Sequence, residues 1–189
     1  MVLKEYKVKE LMVPLSEYAT VHEGVTLFEA ILALEKAQEE FDHAKYRHRA
    51  ILVLDKHGRV IGKVSHLDAI RALEPKPPES DELDELARFS FSPAFIMDLK
   101  KQRRLKSAPL KDLCLNAMTL KVEDVMQAPG QGEYIDQEAS LVIAMHQLVM
   151  GDHLSLLVTR DKDIAGILRL TDVFAAVFHA MKEYETTLA

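Results

Sequence analysis

Apolar and polar positions along the chain fall into two matching series. Val8-Lys9-Glu10-Leu11-Met12 recurs as Val122-Glu123-Asp124-Val125-Met126, an offset of 114 residues. At that offset Val21, Leu27 and Ala30 meet Ile135, Leu141 and Ala144, while Gly62 and Asp68 meet Gly166 and Asp172 at an offset of 104. The first copy therefore carries ten extra residues, which fall within the polar stretch Glu35 to Arg49. Self-similarity of this kind marks one structural unit used twice.

Each copy predicts the same elements. A short extended piece comes first, Ala19-Thr20-Val21 or Tyr134-Ile135. A helix follows. Thr26-Leu27-Phe28-Glu29 is a capping-box pattern, and Leu27, Ile31, Leu34 and Phe41 give an apolar helical stripe. In the second copy Ser140 caps a helix bearing Leu141, Ala144, Met145 and Leu148, which Gly151 ends. Two apolar strands and a turn then predict a hairpin, 50–54 with 60–64 and 154–158 with 164–168. A final helix starts near Asp68 or Asp172, the second with Val173, Phe174, Val177, Met181 and Tyr184 on one face. The repeats are placed at residues 5–73 and 121–189. Met12, Leu27, Ile31, Leu52, Val53 and Ile61 are expected to be buried, with Val125, Leu141, Leu157 and Ile167 as counterparts.

Residues 74–120 do not repeat and read as a helical linker. Glu74-Pro75-Lys76-Pro77-Pro78-Glu79 is a stiff break, Ser92-Pro93 opens a helix through Phe95, Ile96 and Leu99, and Pro109 ends the next polar stretch.

Composition narrows the function classes. Hydrophobic residues make up 48% and charged residues 29%, as in a soluble globular protein, and the net charge of −6 argues against general nucleic-acid binding. The single cysteine, Cys114, excludes an internal disulfide and is expected to be a packed thiol. Met1 to Glu5 opens no apolar stretch of signal-peptide length, and no window reads as a membrane span, so a cytoplasmic protein is expected.

The element order, repeated twice, resembles the cystathionine β-synthase (CBS) domain family. The residues that carry the resemblance are Val8–Met12, Leu27–Ala33, Leu52–Asp55 and Gly58–Asp68, with Val122–Met126, Ser140–Met145 and Gly166–Asp172. It implies an α/β (α+β) fold in which two β-α-β-β-α motifs pack about a pseudo-dyad into one module with two clefts. It also implies a regulatory module that binds an adenosine-containing ligand, signals to an unknown partner protein, and pairs as a homodimer.

Family members place a Ser or Thr three residues before an Asp at the strand-to-helix junction, the Asp for the ribose hydroxyls and the hydroxyl residue for phosphate. Ser65 and Asp68 match this pattern. Ser-x-x-Asp is equally a capping box, and both readings stand at this point. The second copy departs, with Asp172 in place but Arg169 at the hydroxyl position and Thr171 beside the Asp as a possible helix cap. Arg169 either pairs with phosphate or blocks its cleft. The resemblance lines the adenine pocket with Thr20, Val21 and Ile51, or with Tyr134, Ile135 and Ser155. Arg47, His48, Arg49 and Lys63 are further phosphate candidates, against a plain reading as solvated surface.

Other signals are weaker. The eight histidines (His22, His43, His48, His57, His66, His146, His153 and His179) show no paired ligand spacing, so no metal is expected. The basic run Lys100 to Lys106 reads as a solvated helix end. No nucleophile elbow, P-loop or dinucleotide-binding glycine pattern is present. Three classes remain in order: a non-catalytic adenine-nucleotide sensor with no resident cofactor, a ligand-free interaction or dimerisation scaffold, and a small enzyme.

Overall fold

The computed structural model describes residues 5–40, 48–74, 92, 94, 95, 98 and 109–188. The first repeat runs through a one-turn helix α1 (Val8–Leu11), β1 (Val13–Pro14), a 3-10 turn (Leu15–Glu17), β2 (Thr20–His22), α2 (Leu27–Glu40), β3 (Ala50–Leu54), β4 (Val60–Ser65) and α3 (His66–Ala72). From the connecting segment comes α4 (Leu110–Thr119). The second repeat follows with α5 (Val122–Val125), a 3-10 turn (Gln131–Glu133), β5 (Tyr134–Asp136), α6 (Leu141–Met150), β6 (Ser155–Arg160), β7 (Asp163–Arg169) and α7 (Leu170–Leu188).

Local chemistry sets most boundaries. Thr26 and Glu29 form the capping box ahead of α2, with the Thr26 amide donating to Glu29 Oε2 at 2.7 Å and the Glu29 amide to Thr26 Oγ1 at 3.2 Å. Ser140 Oγ accepts from the Ile143 amide at the start of α6. The first hairpin turns at Gly58, whose φ of 78° suits glycine, and Asp55 Oδ1 takes the amides of His57 and Arg59. The Arg59 amide comes first among the causes that pull the Asp55 carboxyl down to about 2, with the Arg59 side chain and the His57 amide adding to it against the effect of burial. Gly151 caps α6 at φ −93°, and Asp152 takes the left-handed step at φ 50°. Pro109 is the N-cap of α4 and so opens a helix after its polar stretch. Ser92 Oγ accepts from the Phe95 amide, as a helix cap should.

The strands form two sheets, β2-β3-β4 and β1-β7-β6-β5. In both, the extended piece pairs parallel with the first hairpin strand, and the hairpin is antiparallel.

The repeats exchange their leading segments. The Val8 amide bonds to Ala139 O, and its counterpart Val122 bonds to Val25 O. Leu141 N reaches Tyr6 O at 2.9 Å, and Leu27 N reaches Leu120 O at 2.8 Å. Val13 of β1 pairs with Ile167 of β7, and Gln127 bridges to Lys63 of β4. These pairs interconvert under the two repeat offsets, so the exchange is reciprocal, as a pseudo-two-fold axis requires.

The same exchange accounts for both repeat glycines. A Cβ on Gly166 would run into Val13 O, and one on Gly62 into Met126 Sδ. In each case the crossing segment closes onto a strand that has no side chain at that point.

Three apolar clusters hold the layers. Ile51, Val53 and Val64 pack under Ala30 and Leu34 of α2, joined by Ala117 and Val122. Ile135, Leu156, Val158 and Leu168 pack under Ala144, Leu148 and Val173, joined by Val8. Val13, Tyr18, Leu52, Leu157 and Ile167 form the joint between the halves. Each fully buried Leu or Ile in that joint contributes roughly 1.5–3 kcal/mol relative to exposure.

Leu27, Leu52, Val53, Leu157 and Ile167 are buried as expected, while Met12, Ile61, Val125 and Leu141 are half-buried. Ile31 is exposed at 37%. The buried line of α2 runs Leu27, Ala30, Leu34, with Ala33 and Ala37 beside it, because alanines let the helix approach the sheet and rotate the longer Ile31 outward. On α7 the buried positions are Val173 and Ala176, and Phe174 and Met181 face out. Cys114 on α4 is half-buried. Phe41, His43, Arg47, the proline-rich break, Pro93, Ile96, Leu99 and the basic run 100–106 lie outside the described residues, as does the side chain of Tyr184.

Candidate functional site

Strand alternation fixes which side chains meet between the halves. On β4, Val64 points to the helix layer, so Lys63 and Ser65 point to the opposite face, toward the second repeat. The equivalent positions on β7 are Ile167 and Arg169. Each hairpin then runs straight into a helix whose first turn carries the repeat aspartate, Asp68 or Asp172.

In the first cleft Ser65 and Asp68 form a full capping box. Asp68 Oδ2 accepts from the Ser65 amide at 2.9 Å and from Ser65 Oγ at 2.6 Å, and Ser65 Oγ accepts from the Asp68 amide at 3.2 Å. Asp68 is only 4% exposed. Its other oxygen, Oδ1, accepts from Gln127 Nε2 and, at 3.4 Å, from Arg71 Nη1. Gln127 belongs to the leading segment of the second repeat and is itself exposed. From the same segment Glu133 forms an ion pair with Lys63, both largely buried. Burial works against ionisation of Glu133, but the Lys63 hydrogen bond, the Gly130 amide and the charge of Lys63 together hold its carboxyl below the ordinary value.

The second cleft is filled. Arg169 Nε donates to Asp172 Oδ2 and Arg169 Nη2 to Asp172 Oδ1, both at 2.6 Å. The pair is desolvated, with side chains 7% and 14% exposed. Tyr18 and His48 close over it, their rings edge to face at 4.4 Å. Burial pushes the Tyr18 hydroxyl up to about 12, and burial followed by the charge of Arg169 lowers His48 to about 4. Among the described residues the first cleft lacks this filling. Gly132 stands at the position of Tyr18, and Asp152 at that of His48.

The remaining sequence candidates divide between faces. Ile51 turns to the helix layer and, with Val64, His66, Ile31 and Ile70, lines an apolar groove of about 290 Å³ between α2 and α3. Val21 packs on the same side, whereas Thr20 pairs with Leu52. Tyr134 is partly exposed, Ile135 is buried under α6, and Ser155 lies in register with Arg169. Thr171 is no cap, because α7 already begins at Leu170. His48 is buried rather than surface, and Arg49 is exposed. Tyr18, Gln127 and Glu133 were not singled out in the sequence. Their signal is the mismatch between copies, Tyr18 against Gly132 and Ala19 against Glu133.

The sequence of residues 8–75 matches the CBS domain family. The chain carries a CBS domain. CBS domains are typically regulatory modules. Solved structures with the same CBS fold include a CBS domain-containing protein of unknown function from Bacillus anthracis str. Ames Ancestor, at 20% identity over 92% of this chain and 94% of that one, TM-score 0.57. The CBS-pair protein CBSX2 from Arabidopsis thaliana aligns at 17% identity over 95% and 99%, TM-score 0.58. CBSX2 in complex with AMP aligns at 18% identity over 92% and 97%, TM-score 0.58. No curated protein matches the sequence. In the two repeats both aspartates are already hydrogen-bonded within the protein, one to an exposed amide and one to a buried guanidinium. Among the described residues no group of His, Cys, Asp or Glu is arranged to hold a metal, and no helix is long and apolar enough to cross a membrane.

Proposed function

We propose that this chain is a non-catalytic sensor module that binds an adenine nucleotide in the cleft holding Ser65 and Asp68 and passes that state to a partner protein. The observation that carries the reading is the exchangeable cover on Asp68. A ribose hydroxyl replacing Gln127 Nε2 at Oδ1 returns an exposed amide to water and strands nothing. The same exchange at Asp172 would strand a buried guanidinium. The AMP complex of the similarly folded CBSX2 supports the ligand class. Thr20, Tyr134 and Ser155 remain candidates for the rest of the pocket.

The two hydrogen bonds from a ribose diol to a carboxylate are each worth roughly 1.5–3 kcal/mol. Asp68→Ala should therefore weaken adenine-nucleotide binding about a hundredfold or more in isothermal titration. Denaturant unfolding of the same variant accounts for the lost cap, which should cost about 1 kcal/mol. Unchanged affinity in a folded Asp68→Ala protein would reduce Ser65 and Asp68 to a helix cap.

A homodimer belongs to the same reading. Phe174 and Phe178 stack in parallel on α7, 6.4 Å apart and facing out, and Phe28 and Leu32 face out on α2. An apolar surface of this kind marks an interface. If no nucleotide binds, these helices leave the chain a dimerisation scaffold.

A further inference from the structure

The two leading segments deliver opposite chemistry to otherwise equivalent places. Val13 and Tyr18 of the first repeat bring an aliphatic side chain and a ring to the second cleft, where Ile167 joins the central apolar cluster. Gln127 and Glu133 of the second repeat bring an amide and a carboxylate to the first cleft, where Lys63 stands in place of Ile167. The first cleft therefore contains two carboxylates, Asp68 and Glu133. Facing them are Lys63, already engaged by Glu133, and Arg71, which lies mostly in solvent against Asp68. His153 is the other titratable side chain near Glu133, and its charge lowers the Glu133 carboxyl. Arg169, the candidate cation of the second cleft, is held at two points by Asp172.

A polyphosphate entering such a site meets no uncommitted cation among these groups. It meets Glu133 as a fixed, poorly solvated negative charge paired with Lys63, which shares a strand face with the phosphate-side residue Ser65. Like charges in a partly desolvated site repel by amounts that decide selectivity, since about 1.4 kcal/mol changes an affinity tenfold. One phosphate can share Lys63 with Glu133, but three cannot.

Resting on the proposed ligand class, we infer that the first cleft takes an adenosine ligand with at most one phosphate, and that the Glu133–Lys63 pair is the selectivity device excluding triphosphates. Glu133 sets how much of the Lys63 charge is offered to the ligand, and Gln127 guards the ribose position. The partner would then respond to adenosine or its monophosphate and not to ATP.

Isothermal titration of the whole chain with adenosine, AMP and magnesium-free ATP tests this, in the wild type and in Glu133→Gln and Lys63→Met. In the wild type, adenosine and AMP should bind within about tenfold of each other and ATP about tenfold or more weaker than AMP. Glu133→Gln, similar in size but uncharged, should narrow the AMP-to-ATP gap about fivefold or more. Lys63→Met should weaken AMP and leave adenosine nearly unchanged. Circular dichroism confirms that each variant is folded. ATP binding at least as tightly as AMP to the wild type overturns the inference and leaves the nucleotide reading standing. An unaltered gap in folded Glu133→Gln overturns the role of Glu133. Failure of all three ligands to bind the wild type overturns the nucleotide reading itself, and this inference with it.

Discussion

Arg169 and Asp172 form a buried two-point ion pair across one helical turn, with both nitrogen–oxygen distances at 2.6 Å. Removing one member leaves the other charge desolvated and alone, which typically costs about 3–5 kcal/mol, whereas removing both together is far milder. Asp172→Ala should therefore lower unfolding free energy much more than the double change Arg169→Met with Asp172→Asn. Urea titrations of the three proteins check this. Equal losses in the single and double variants would contradict it.

The repeat glycines should differ in tolerance although they hold equivalent places. Gly166→Ala drives a Cβ into the backbone carbonyl of Val13, whereas Gly62→Ala meets Sδ and Cγ of the flexible Met126 side chain. Overpacking of this kind costs about 1–3 kcal/mol, with the backbone clash at the upper end. Gly62→Ala should be largely relieved by adding Met126→Ala, while no side-chain change relieves Gly166→Ala. Comparison of denaturation midpoints reads this out.

The turn between β6 and β7 places two non-glycine residues at positive φ, Asp161 at 52° and Lys162 at 79°. Such a conformation costs an ordinary residue roughly 1–2 kcal/mol, and glycine avoids it. Lys162→Gly should raise stability by about 1 kcal/mol, a gain of about 2–4 °C in Tm for a chain of this size. A lower Tm would show that the lysine side chain makes a stabilising contact outweighing the strain.

His48 supplies a pH dependence with a definite sign. It is buried against Tyr18 beside Arg169 and Asp172, and its pKa falls from 6.5 to about 4. The unfolded chain therefore binds more protons than the folded one between those values. Its contribution is fully present above about pH 6.5 and is lost as the pH falls toward about 4. His48→Leu should flatten that part of the stability profile relative to the wild type. Unfolding midpoints measured between about pH 4.5 and 7 decide it, and parallel profiles would refute it.

The oligomeric reading has its own check. Light scattering should give twice the 21.4 kDa chain mass. Replacing both Phe174 and Phe178 with charged residues should return the chain to a monomer, because the change adds like charges where apolar faces meet. A wild type at monomer mass would remove the interface.

The sequence by itself determined the repeat, the order of elements and most of their ends. These are written in short-range patterns: the Thr26–Glu29 and Ser140 caps, the alternating apolar runs of the hairpins, and the turn at Gly58. Only the tertiary structure decided that the leading segments change places, because their backbone hydrogen bonds join residues more than sixty positions apart, such as Gln127 with Lys63 and Leu27 with Leu120. No local pattern encodes such a pairing. Ile31 was misjudged for a related reason: a helical stripe shows which residues share a face, but the alanines that let α2 settle on the sheet decide how that face is rotated. The site divides in the same way. Ser65 and Asp68 are legible as a cap and as a candidate ligand pair. Arg169 was left between phosphate partner and plug, because only its packing beneath Tyr18 and His48, both from the other repeat, holds its charge on Asp172.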